Sequence, residues 1–205
     1  MGCLKKLLIK IIIILLIVAF FAFGGWAFVK KTINDYQNPP RSEFIKSEKN
    51  YADFSYVPSD YQLSRSFNIF GYKKINAKYL PTNQKITIYD LKNEEKISVN
   101  DFKTGEIDKK INTLLNNLKD SIITFENFQI LKKGSYIAKG KSIPYIKFSA
   151  KVKNVPFKNV IGIIACYSTT NEKAKTPSSK LIVTVVDPKA FNPAIVSGFI
   201  NALKF

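Results

Sequence analysis

Residues 160–169 (VIGIIACYST), residues 181–186 (LIVTVV) and residues 191–203 (FNPAIVSGFINAL) together decide how this chain folds. In the first, Val160, Ile164 and Cys166 point one way and Ile161, Ile163, Ala165 and Tyr167 the other, because strand side chains alternate. Both sides are apolar, as they are in the second stretch, so each strand needs cover on both faces. The polar run NEKAKTPSS at 171–179 makes the two strands a hairpin. The third stretch supplies cover. Asn192 is a good helix N-cap, Pro193 fits the first helical position and Phe191 is placed to staple onto Val196. Ile195, Val196, Phe199, Ile200 and Leu203 then form one apolar stripe.

Working back from there, residues 145–152 (YIKFSAKV) alternate differently. Ile146, Phe148, Ala150 and Val152 share one face, while Lys147, Ser149 and Lys151 share the other, so one side of this strand is wet. Residues 128–131 make a further strand. Ile107, Ile111, Leu114, Leu115, Leu118 and Ile122 recur at helical spacing, with Glu106 and Asp108 in the first turn and Lys119 near the end, each sign suited to the helix dipole. Residues 85–89 (KITIY) and 96–99 (KISV) read as a hairpin turned by Asn93, Glu94 and Glu95. The fold class expected is therefore α+β, an antiparallel sheet packed between helices.

The N-terminus has a different character. Residues 11–29 (IIIILLIVAFFAFGGWAFV) carry no charge and, at about 1.5 Å per residue, span a hydrocarbon core of about 30 Å. Lys5, Lys6 and Lys10 precede this run, and Trp26, Phe28, Lys30 and Lys31 form an interfacial anchor at its other end. A cleaved signal peptide is the rival reading, with small residues at Ala22 and Gly24 or at Gly25 and Ala27. The organisation expected is a cytoplasmic lead at 1–10, a transmembrane helix at 11–29, a stalk at 30–50 and a water-soluble domain at 51–205. The lipid bilayer is thus a partner through residues 11–29, at the cell membrane, with the domain on the outer side. Lysines on both flanks give the positive-inside rule little to decide.

The chain holds 32 Lys plus Arg against 15 Asp plus Glu. Setting aside residues 1–37, with five lysines and Asp35, leaves 27 basic against 14 acidic residues, so the domain is basic in its own right. Only Arg41 and Arg65 are arginines, the residue suited to bidentate contact with phosphates and bases, which disfavours nucleic acid as a partner. With no histidine, the Ser-His-Asp and Cys-His arrangements and imidazole zinc sites are excluded. Cys3 lies ahead of the apolar run, and Cys166 sits in a two-sided apolar strand where it is expected to be buried and inert. The carboxylates from Asp90 to Asp108 show no regular ligand spacing, so neither metal nor cofactor is expected.

One segment could bind. Residues 51–79 interleave rings with basic residues, and Tyr56, Tyr61, Phe67 and Phe70 around Arg65 make a candidate surface on which sugars or bases could stack. The competing reading is that these rings pack inward.

The sequence Lys78-Tyr79-Leu80-Pro81 after an aromatic-rich lead, Gly140 opening a strand to Val152, and the ending LIVTVVDPKAFNPAIVSGFINALKF resemble the PsbP-like fold over roughly residues 70–205. That resemblance implies an antiparallel sheet between helices. It also implies a binding or assembly factor, since the family has no shared catalytic residues. The function expected is a membrane-anchored, non-catalytic module that binds a protein or envelope component. The alternative is a polyanion binder using a lysine-rich surface; an enzyme built on a Ser-Lys pair is a third possibility with no diagnostic motif.

Overall fold

A computed structural model of the chain describes residues 25–49, 51–66, 74–90, 98–111, 124–138, 140–153, 159–169 and 178–204. The chain divides into two units, Met1–Pro39 and Pro40–Phe205. In the first, helix α1 (Gly25–Gln37) ends where Asn38 meets Pro39, because the residue before a proline is disfavoured in helical geometry. Residues 11–24 of the expected span lie outside the described residues. Among the described residues, no helix is long and apolar enough to cross a membrane.

The second unit opens with α2 (Arg41–Ser47), whose first backbone bond runs from Phe44 N to Pro40 O at 2.9 Å. Residues 41–49 were expected to be stalk; they belong to this unit instead. Phe44 is fully buried and meets Phe54 edge-on, with ring centroids 5.4 Å apart. Arg41 donates to the carbonyls of Tyr61, at 3.1 Å, and Val57.

Seven strands follow: β1 (Tyr61–Ser66), β2 (Lys74–Tyr79), β3 (Gln84–Asp90), β4 (Thr124–Ala138), β5 (Lys141–Lys153), β6 (Asn159–Thr169) and β7 (Ser178–Val186). They form one sheet in the order β1-β2-β3-β7-β6-β5-β4, with every neighbouring pair antiparallel. Helix α3 (Val99–Thr104) lies between β3 and β4, a second helical stretch occupies residues 107–111, and α4 (Pro193–Ala202) closes the chain. The fold is α+β with a seven-stranded antiparallel sheet.

The two sheet faces support separate apolar clusters. On the first face, Leu63, Ile75, Ile86, Ile88, Ile163 and Ile182 pack against the α4 stripe of Ile195, Val196, Phe199, Ile200 and Leu203 and against Phe44 and Phe54. On the second, Ile146, Phe148, Ile164, Cys166, Leu181 and Val183 pack against Phe102, Ile107 and Ile111. Burying such side chains contributes about 1.5–3 kcal/mol each. The Asn192 cap forms as expected, its side chain accepting from Ala194 N at 2.9 Å.

Two expectations fail here. Of residues 96–99, expected to pair with 85–89, Ser98 and Val99 are described and lie in no strand: Ser98 caps α3, joined to Asp101 in a reciprocal capping box, and Val99 is helical. The partners of β3 are instead β2 and β7. Capping chemistry at Ser98 and Asp101 outweighed a short apolar pattern. Burial raises the Asp101 carboxyl, but hydrogen bonds from Lys110 and Ser98 outweigh it and hold the group below the usual range. The second failure is the lead, where no strand was expected: residues 61–66 and 74–79 are strands.

Candidate functional site

Of the aromatic and basic residues expected to form a surface, the described ones, Tyr56, Tyr61 and Arg65, do not come together. Tyr61 is buried at the first-face end of β1. Its hydroxyl donates to Ile195 O at 2.6 Å, and its ring lies 5.0 Å from Tyr79 and 5.4 Å from Phe199. Burial, then the neighbouring Tyr79, pushes its hydroxyl up to about 12. Arg65 also points inward: its Nε donates to Glu48 Oε1 at 2.7 Å and its Nη2 to Ser47 Oγ, with Glu48 only 2% exposed. Of the described members only Tyr56 is exposed. Phe67 and Phe70 lie outside the described residues. The reason is strand alternation, which sends Tyr61, Leu63 and Arg65 to one side and turns that side into the core.

On α1, Trp26, Phe28, Lys30 and Lys31 are exposed, and the Lys30 ammonium lies 5.3 Å from the Trp26 ring centre. Cys166 is fully buried, and burial, followed by the Asp101 charge, pushes its thiol up to about 12. A thiol held neutral in an apolar layer is a poor nucleophile. Cys3 lies outside the described residues. Among the described residues no three His, Cys, Asp or Glu side chains are grouped to hold a metal ion.

The accessible chemistry lies elsewhere, where helical cover on the first face stops. The first-face cluster takes in Ile143 and Tyr145 on β5 and Ile163, Ala165 and Tyr167 on β6, and reaches no further along those strands. From Ile163 outward the register sets out three cross-strand rows. Lys132, Lys147 and Ile163 form one, Gln129, Ser149 and Ile161 the next, and Glu126, Lys151 and Asn159 the last. A depression of about 400 Å³ lies over the outer rows, lined by Asn127, Gln129, Ser149, Lys151, Asn159 and Ile161, with Pro188 at its side. Pro188–Ala190 is a 3-10 helix, capped by Asp187, whose side chain accepts from Lys189 N at 2.8 Å. The following Phe191 places its ring 5.0 Å from the Lys147 ammonium.

A β-bulge shapes the edge of this corner. The β4–β5 register shifts between Glu126 and Gln129 and again between Ile130 and Lys132, so the strand bends. Asn127 adopts a left-handed backbone with φ of 49° at the first of these shifts, a conformation asparagine tolerates better than most residues. Leu131, left over at the second shift, is half exposed. A smaller depression of about 300 Å³ lies at the other end of β5, lined by Val99, Lys103, Lys141, Ser142, Ile143, Tyr167 and Ser168.

Part of this corner was visible as the alternating wet face Lys147, Ser149 and Lys151 of β5. The partners supplied by β4 and β6 were not, because register across bulges has no signature in a single strand. Compared with known family models and with curated proteins, the sequence matches none.

Proposed function

We propose that the chain is a membrane-anchored, non-catalytic binding module, PsbP-like in fold, that docks a protein or envelope component on the open corner of β4, β5 and β6. The observation that carries this reading is the corner itself. It is a concave, hydrogen-bonding surface left uncovered on a sheet whose remaining first face is packed under α4. Side-chain amides, a hydroxyl and ammonium groups there offer donors and acceptors around a partly apolar floor, the composition of a recognition site. The anchor rests on the uncharged run at 11–29 and on the exposed Trp26, Phe28, Lys30 and Lys31 beyond it. In this reading residues 1–10 are cytoplasmic and the second unit lies outside.

A photo-crosslinking residue at Gln129 or Asn159, with the same residue at exposed Lys78 on β2 as control, tests the docking surface in intact cells. Adducts at the two corner positions and none at Lys78 are expected. Equal labelling at all three positions, or none, overturns the reading. Protease added to spheroplasts tests the sidedness: cleavage of the second unit is expected, and protection until lysis reverses the topology.

A further inference from the structure

We infer that the open corner binds phosphate groups, held between Lys132 on β4 and Lys147 on β5; this rests on the docking surface proposed above and names its ligand chemistry. The two lysines are directly paired across antiparallel strands and share the first face. Like charges in that position repel and weaken a sheet. No carboxylate lies within ion-pair distance of Lys132, Lys147 or Lys151 among the described residues, although Glu126 is the register partner of Lys151. The Phe191 ring beside Lys147 offsets part of that repulsion, and the local destabilisation that remains marks a position kept for something other than stability.

The surroundings fit an oxyanion. One row away, Gln129 and Ser149 line the depression that adjoins the lysine pair and supply an amide and a hydroxyl as neutral donors. Lys147 is half buried beside the Phe191 ring, which restricts its ammonium and leaves less entropy to lose on binding. Lysine acts as a point charge, and two of them on adjacent strands suit the several oxygens of a phosphate better than a single planar carboxylate. Lys151 extends the positive field about 13 Å further along β5, at about 3.3 Å per residue, so a ligand carrying successive phosphates gains a second contact.

A second cross-strand lysine pair provides the control. Lys78 and Lys85 are also directly opposed, on β2 and β3, but both are exposed at a hairpin end, whereas Lys132 and Lys147 adjoin the row of Gln129 and Ser149, which line the 400 Å³ depression. Tripolyphosphate is titrated calorimetrically into the full chain held in phosphatidylcholine nanodiscs, at two salt concentrations. Wild type and the Lys78→Gln/Lys85→Gln variant are expected to bind alike, and Lys132→Gln/Lys147→Gln about tenfold or more weaker, as for loss of charge-assisted hydrogen bonds. The single Lys132→Gln variant, at an exposed position, keeps the test open if the double variant unfolds.

Equal weakening by the two double variants, or no wild-type binding, overturns the inference. Corner adducts in the crosslinking experiment without any tripolyphosphate binding would reject the ligand class and leave the docking surface standing. Phosphatidylglycerol in the nanodiscs separates two sources of the same chemistry. Suppression of tripolyphosphate binding that needs Lys132 and Lys147 assigns a lipid headgroup; unchanged binding assigns a soluble or polymeric phosphate. Both results support the site.

Discussion

Gly162→Ala on β6 is expected to destabilise the protein although the same change in an open strand would stabilise it. A methyl group placed on Gly162 meets Phe148 Cζ at 2.6 Å and the backbone oxygen of Thr184 closer still. Phe148 cannot retreat easily: it is fully buried and its ring is stacked on Phe128, with centroids 4.8 Å apart. Relief therefore requires backbone movement between β6 and β7. Overpacking of this kind costs about 1–3 kcal/mol. Against it stands the gain of about 0.5–1 kcal/mol from restricting a glycine in the unfolded chain. The net loss expected is about 1 kcal/mol and at most about 2.5 kcal/mol, read as a lower urea midpoint for the full chain in neutral detergent, followed by tyrosine circular dichroism. Gly198→Ala on α4 should move the other way by about 0.5–1 kcal/mol, since its methyl group meets only Tyr61 Oη at an ordinary 3.6 Å. Adding Phe148→Leu to Gly162→Ala should recover part of the loss and not all, because the Thr184 oxygen remains. A Gly162→Ala midpoint at or above wild type would refute the account of a sheet closed on this glycine.

Removing Glu48 by Glu48→Ala leaves the Arg65 guanidinium buried without its carboxylate, and should cost about 3–5 kcal/mol in denaturant unfolding; replacing both residues with leucine should cost less. Alkaline pH should destabilise the fold: Cys166, Tyr61 and Tyr136 are each raised to about 12, chiefly by burial, from ordinary values of 9.0 for the thiol and 10.0 for the phenols. Their stabilising contribution is complete below the unfolded values and is lost as pH rises from about 9 towards 12, so a thermal midpoint that stays flat across that window would contradict it. Asn192→Ala should cost about 1 kcal/mol through loss of the α4 cap, and Asn192→Ser should restore most of it.

The last two strands and the final helix were legible in the sequence because their signals are local: two-sided apolar strands, a polar turn and a cap followed by a stripe. Strands β1 and β2 were not, because their inward positions carry polar residues. Arg65, Lys74 and Asn76 are all buried, which breaks the apolar alternation a reader looks for. Each is made tolerable by a partner distant in sequence. Arg65 meets Glu48, Asn76 bridges Ser66 at 2.8 Å and Thr87 at 3.0 Å, and Lys74 lies 5.1 Å from the Tyr89 ring centre. Only the three-dimensional pairing reveals that those side chains are satisfied. The open corner was half legible for the related reason that one strand shows its wet face while the neighbours that complete the surface are set by register.

Strand β7 is central in the sheet and the last strand to be synthesised. Until it arrives, β1 to β3 form one meander and β4 to β6 another, and β3 and β6 each lack their neighbour. A nascent chain halted before Ser178 therefore presents two sticky hydrogen-bonding edges, both carrying isoleucine, and a first face without α4 to cover it. Vectorial folding from the N-terminus is closed to this topology, and both β7 and α4 must be made before the sheet becomes safe from aggregation. Nonsense truncations anywhere upstream of β7 should accordingly behave as all-or-none losses, cleared by proteases, with no partially working products.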